Sequence, residues 1–172
     1  MVIRDHGHDG AEQGGRNMEA VTFGVLGPVT AERDGDPLDL RGPRHRALLA
    51  RLLLARRRVV PVARLVEDLW DVPPARAVGT VRTFVGDLRR ALEPERPRRA
   101  PARLLVTEGP GYALRAAPDA VDAWRFEEAV ALAERLPADR APARLDAALG
   151  EWRGPAYAEF GGEGWARGER AR

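Results

Sequence analysis

The chain has 172 residues, 44% of them hydrophobic, enough for one ordinary domain and a smaller appendage. No apolar run of membrane-spanning length and no apolar signal segment occurs, so neither a membrane span nor a secretory leader is expected, and a cytoplasmic protein is. All 28 basic side chains are Arg, and Cys and Ser do not occur, which excludes disulfides, thiolate metal or redox sites and the commonest covalent nucleophiles. The formal net charge of +2 is unevenly spread: residues 1–19 carry 2 Arg against 4 acidic residues, residues 20–118 carry 18 against 11, and residues 119–172 carry 8 against 11. An excess of positive charge confined to the middle segment is the footprint of a unit that meets phosphate beside one that meets protein.

In chain order, residues 1–19 are polar and Gly-rich and predict a disordered leader, with Met18 as an alternative start. His6 and His8 flank Gly7 there, and two imidazoles on a solvated tail fall short of a metal ligand set. From Val21 the runs VTFGVLG, VTAER and PLDL, with Asp34-Gly35 as a turn, predict short antiparallel strands. Gly42-Pro43 opens a helix in which Leu48, Leu49, Leu52 and Leu53 recur at helical spacing. A second, short helix begins near Pro61, without a side-chain cap, and sets Val62, Leu65, Val66, Leu69 and Trp70 on one face before Pro73-Pro74 halt it.

The third helix, Ala75 to about Leu92, is read with Val78, Val81, Val85, Leu88 and Leu92 as its apolar stripe. Arg76, Gly79, Thr80, Arg82, Thr83, Gly86 and Arg90 lie off that stripe, so one face packs and the other is small, polar and cationic. After the Arg- and Pro-rich loop EPERPRRAPAR, the runs LLVTE and YALRA around Gly109-Pro110-Gly111 predict a β-hairpin. Strands, three helices and a hairpin give an α+β winged helix-turn-helix with an N-terminal antiparallel sheet, whose third helix is built to enter a major groove.

Residues 119–172 are acidic and read as a partial all-α, paired-helix region. Asp122 is expected to cap a helix with Phe126, Val130 and Ala133 on one face, and a second helix carries Leu145, Leu149 and Trp152 before Gly154-Pro155. Such single stripes need cover from the first domain, a second subunit or further helices. The domain division is therefore 1–19, 20–118 and 119–172. No catalytic constellation emerges: His45 stands among Arg residues with no carboxylate at a telling spacing, and GGEGWARG follows no strand, so it is not a phosphate loop. The chain is expected to be no enzyme and to hold no metal or cofactor.

The segments FGVLGPV, RGPRHRALLARLLL, RLVEDLW, TVRTFVGDLRRAL, PGYALR, DAVDAWRFEEAV and WRGPAYAEF occur in an order and spacing that resembles the Streptomyces antibiotic regulatory proteins. These are activators with an OmpR-type winged helix followed by a bacterial transcriptional activator domain, here stopping at Arg172 before the length relatives reach. The resemblance implies binding of double-stranded DNA at direct repeats near promoters, as a homodimer, with recruitment of RNA polymerase to secondary-metabolite genes.

It further implies that Arg44, Thr80, Arg82, Thr83, Arg89, Arg90 and Thr107 approach DNA, and that the loop Asp71 to Arg76, with Pro73 and Pro74, faces polymerase. Arg82 is the preferred base reader, since Arg can grip guanine through two hydrogen bonds, and a phosphate contact is its alternative. Arg44, Arg89 and Arg90 suit phosphates, with a carboxylate partner inside the fold as the alternative for Arg89 and a helix-start role as that for Thr80. Asp87 and Glu108 stand where relatives commonly carry Arg, and repulsion from phosphate would lower affinity. That charge argument supports a rival reading, an interaction module or antagonist that has lost useful DNA affinity.

Overall fold

The computed structural model describes residues 21–167, so the expected leader with His6, His8 and Met18 and the segment 168–172 lie outside the described residues. Strands β1 (Val21–Gly24), β2 (Thr30–Arg33) and β3 (Asp36–Pro37) form an antiparallel sheet in that order. Asp34 and Gly35 both take positive φ, 51° and 89°, as a tight hairpin turn between β2 and β3 requires. Val21, Phe23 and Val25 alternate onto the buried face.

Helix α1 (Pro43–Leu54) has Pro at its start, where a missing N–H costs nothing, and Leu48, Leu49, Leu52 and Leu53 are fully buried at the centre of the core. A two-residue strand that the sequence did not reveal, β4 (Val60–Pro61), leads straight into α2 (Val62–Leu69). As expected, no side chain caps α2; the Val62 N–H donates instead to Pro110 O in the hairpin turn at 3.1 Å. Leu65 is buried, and Val62, Val66, Leu69 and Trp70 are half-buried against the same core.

Helix α3 (Ala77–Leu92) buries Ala77, Val81, Val85, Leu88 and Leu92. Val78 departs from the expected stripe: it is 45% exposed, because the helix leans towards its other flank, where Phe84 packs on the core. Strands β5 (Leu105–Glu108) and β6 (Gly111–Leu114) form the hairpin, and β6 lies between β4 and β5 in a second antiparallel sheet. Gly109 turns the chain at φ +53°, while Gly111 serves close approach, since a Cβ there would stand 2.0 Å from Val60 O. The result is the α+β winged helix-turn-helix with its N-terminal sheet.

Helices α4 (Asp122–Ala133) and α5 (Ala141–Leu149) pack on each other through alanines. Ala129, Ala133 and Ala148 are buried, Phe126, Val130 and Leu145 half-buried, and Leu149 and Trp152 are 56% and 42% exposed rather than on a buried stripe. Small residues let the two axes approach, which pushes the larger side chains to the edge of the seam.

Asp122 is not the expected cap, since Val121 occupies that position. Its buried carboxylate instead accepts from the Val25 N–H at 2.8 and 2.9 Å and the Leu26 N–H at 3.0 Å. The segment that follows α5 is tied to the N-terminal part of the fold: Arg153 N donates to Leu26 O at 2.7 Å, Tyr157 N to Val25 O at 2.8 Å, and Trp165 Nε1 to Asp68 O at 3.1 Å. Tyr157, Phe160 and Ala166 join the core around α1. Among the described residues no helix is long and apolar enough to cross a membrane.

Candidate nucleic-acid interface

The outward face of α3 is set by the buried seam opposite it. Gly79, Arg82, Thr83 and Arg90 are exposed, and Thr80 and Gly86 are partly so. No hydrogen bond or ion pair joins Arg82 to any described residue, which leaves its planar donor fork open. Thr80 is no helix-start residue, because Arg76 holds that position; its hydroxyl donates to Arg76 O at 3.1 Å, and that of Thr83 to Gly79 O at 3.2 Å. With the protons so used, the two oxygens can accept a contact without rearrangement. Gly79 and Gly86 have no packing reason to be glycine, since an added Cβ would meet nothing within 4 Å.

Arg89 and Thr107 are brought together, which the sequence did not show. Arg89 Nε donates to Leu105 O at 2.7 Å and Nη2 to Thr107 Oγ1 at 2.8 Å, and the guanidinium lies 5.8 Å from the Tyr112 ring centre. The intramolecular partners of Arg89 are thus a carbonyl and a hydroxyl rather than a carboxylate, and they tie α3 to the hairpin. Burial lowers the pKa of this guanidinium, with Tyr112 opposing.

His45 does have a carboxylate partner, 42 residues away: Asp87 Oδ2 lies 3.1 Å from His45 Nε2, a pairing that no local spacing could signal. The same carboxylate forms an ion pair with Arg90 one turn along α3. The His45 hydrogen bond holds the Asp87 carboxyl below its usual range, burial opposes this, and Arg90 adds to the lowering. The His45 ring centre stands 4.3 Å from that of Phe84, Phe84 stacks 6.2 Å from Trp70, and the Arg44 guanidinium sits over Trp70 at 5.5 Å. Arg44 is exposed at the start of α1, so this aromatic stack links it to α3.

Glu108 likewise pairs with Arg115, whose Nη1 also donates to Arg57 O at 2.9 Å. The two carboxylates that the sequence set against phosphate are therefore balanced by cations of the fold itself. Asp71, Pro73, Pro74 and Arg76 are all exposed in the loop between α2 and α3, and Val72 there is 85% exposed. Among the described residues no cluster of three or more His, Cys, Asp or Glu could hold a metal ion.

Residues 35–114 match the family model for the C-terminal domain of transcriptional regulatory proteins, and residues 121–172 match the bacterial transcriptional activator domain. Both are families of regulators rather than enzymes. The chain is 40% identical over 159 residues to the regulatory protein AfsR of Streptomyces coelicolor, a match covering 89% of this chain and 15% of that protein. It is 34% identical over 172 residues to the transcriptional regulator RedD of the same organism, covering 97% of this chain and 48% of RedD. A solved structure of Mycobacterium tuberculosis EmbR in complex with a low-affinity phosphopeptide superposes with a TM-score of 0.77 at 31% identity, over 88% of this chain and 41% of that one. The chain thus spans less than half the length of these relatives.

Proposed function

Because this chain belongs to the Streptomyces antibiotic regulatory protein family, we propose that it is a sequence-specific DNA-binding transcriptional regulator that lays the outward face of α3 in a major groove. Residues 20–118 form the DNA-binding unit and residues 119–172 an activator region, and the protein works in the cytoplasm on the nucleoid. It binds direct repeats near promoters of secondary-metabolite genes as a homodimer, with the exposed loop Asp71 to Arg76 turned to RNA polymerase. Arg82 reads a base edge, while Arg44 and Arg90 meet phosphates, which position the domain without carrying sequence information. Arg89 and Thr107 contribute by fixing the wing to α3, and Thr80 and Thr83 offer oxygens and methyl groups to the groove.

The observation that carries this reading is the composition of that face: an unpaired Arg82 beside two helix-interior glycines whose replacement would meet open space. Glycine inside a helix costs about 1 kcal/mol relative to alanine. Intramolecular packing does not repay that cost, whereas close approach of backbone to a duplex does. The antagonist reading starts from lone carboxylates at positions 87 and 108; Asp87 is paired with His45 and Arg90, and Glu108 with Arg115, so neither faces phosphate as an uncompensated negative charge.

Fluorescence anisotropy with a direct-repeat promoter duplex and a scrambled duplex, each at two salt concentrations, tests the proposal. Salt-sensitive binding that prefers the repeat is expected, and Arg82→Ala should remove about 1–3 kcal/mol of that preference. Equal affinity for both duplexes, or none at low salt, would refute it.

A further inference from the structure

Arg90 is an exposed cation on the α3 face, with 72% of its side chain open to solvent, yet it is spent on Asp87, which is itself bonded to His45. We infer that His45 and Asp87 are positioning residues that hold Arg90 back from DNA, and that protonation of His45 releases it as a phosphate contact. This rests on the reading of α3 as the DNA-facing helix and adds to it a control by pH.

The geometry dictates the proton inventory. Asp87 is an ionised acceptor, so His45 Nε2 must carry a hydrogen even when the ring is neutral, and it donates that hydrogen at 3.1 Å. In that state the three groups sum to zero charge: His45 neutral, Asp87 negative, Arg90 positive. A proton taken from solvent at Nδ1 makes the ring a cation and the sum +1.

Asp87 bonds His45 through Oδ2 and Arg90 through Oδ1, so the two do not compete for one oxygen; a charged ring, fixed by packing on Phe84, instead offsets the carboxylate's charge, and Arg90 on its long exposed side chain is held less strongly. The other groups near His45 do not supply the effect. Arg44 and Arg46 flank it on α1, Arg46 being engaged by Glu159 at 2.6 Å; Asp87 and Arg90 come from α3; Phe84 and Trp70 bring no charge. By linkage, a duplex that favours the +1 state also favours uptake of that proton.

The test is anisotropy titration of a fixed duplex by the full chain at about pH 8 and about pH 6, at constant ionic strength and over a salt series. One added phosphate contact steepens the salt slope by about 0.9 and is worth roughly threefold in affinity over a fourfold change in salt. The salt slope of the wild type should steepen by about that 0.9, with tighter binding, on going to the lower pH, and His45→Gln, which keeps an N–H donor for Asp87, should show the same slope and affinity at both pH values. Asp87→Asn should show the gain already at the higher pH, and adding Arg90→Ala to it should remove the gain.

A wild type that binds with pH-independent affinity overturns this inference alone, as does a pH gain that survives in His45→Gln. Failure of the wild type to bind any duplex at low salt overturns the DNA reading as well. Where Asp87→Asn loses helical circular dichroism, the His45→Gln pH profile decides.

Discussion

Asp122→Ala should cost about 3–5 kcal/mol of folding free energy and loosen the last third of the chain from the winged helix. The Asp122 carboxylate accepts from the amides of Val25, Leu26 and Ala123, at 2.7 to 3.0 Å, and from Arg153 Nη2 at 3.2 Å. Val25 and Leu26 are 0% and 4% exposed, so their orphaned N–H groups would find no water, and each such group costs about 1–3 kcal/mol. The Ala123 amide lies in a first helical turn on a half-buried residue and is readily hydrated, so it adds little. Arg153 has 40% of its side chain exposed, and its ion pair contributes under about 1 kcal/mol after screening.

The assay is urea unfolding followed by both far-ultraviolet circular dichroism and tryptophan fluorescence. Trp124, Trp152 and Trp165 report on the C-terminal part, so their signal should change at lower urea than the helical signal does in the variant, and together with it in the wild type. A loss below about 1 kcal/mol with coincident transitions would refute the reasoning, because it would mean that Asp122 does not bear the joint.

Other outcomes follow from the same contacts. Gly86→Ala should raise stability by up to about 1 kcal/mol, since its new Cβ meets nothing within 4 Å, and yet weaken duplex binding; unchanged affinity would count against close approach of this face. Arg89→Met should destabilise the hairpin by about 2 kcal/mol in urea unfolding, and Thr107→Val by less, because it spares the Leu105 bond; equal losses would contradict the bonding described. Asp87 is held below its ordinary pKa when folded, so its stabilisation is complete above that value and is lost as pH falls through the lowered one. Asp87→Asn should accordingly show a flatter fall of stability below about pH 4, and an identical acid limb would refute the pairing.

Local periodicity was enough for the helices: the Leu48, Leu49, Leu52 and Leu53 repeat and the Pro43 start place α1, and Asp34-Gly35 places the first hairpin. It failed where a third element chooses between two flanks of a helix. Val78 and Phe84 sit at opposite edges of the α3 stripe, and only the packing of Trp70 and His45 against Phe84 decides which edge is covered.

The α4–α5 seam misled for another reason: spacing draws attention to Leu149 and Trp152, while close helix approach selects alanines. Pro61 reads as a helix start and hides the short strand before it. In the candidate interface the Arg and Thr of α3 were visible as a face. The Arg89–Thr107 and His45–Asp87 pairs were not, because donors and acceptors 18 and 42 residues apart leave no mark on the sequence.

Whether the outward face of α3 lies against DNA is tested most directly by placing a photo-crosslinking amino acid at position 82 and, separately, at position 149 on α5, then irradiating each protein with a direct-repeat promoter duplex. A covalent adduct from position 82 that salt abolishes, with none from position 149, is the predicted result. Adducts from position 149 alone, or from neither position at low salt, would contradict it.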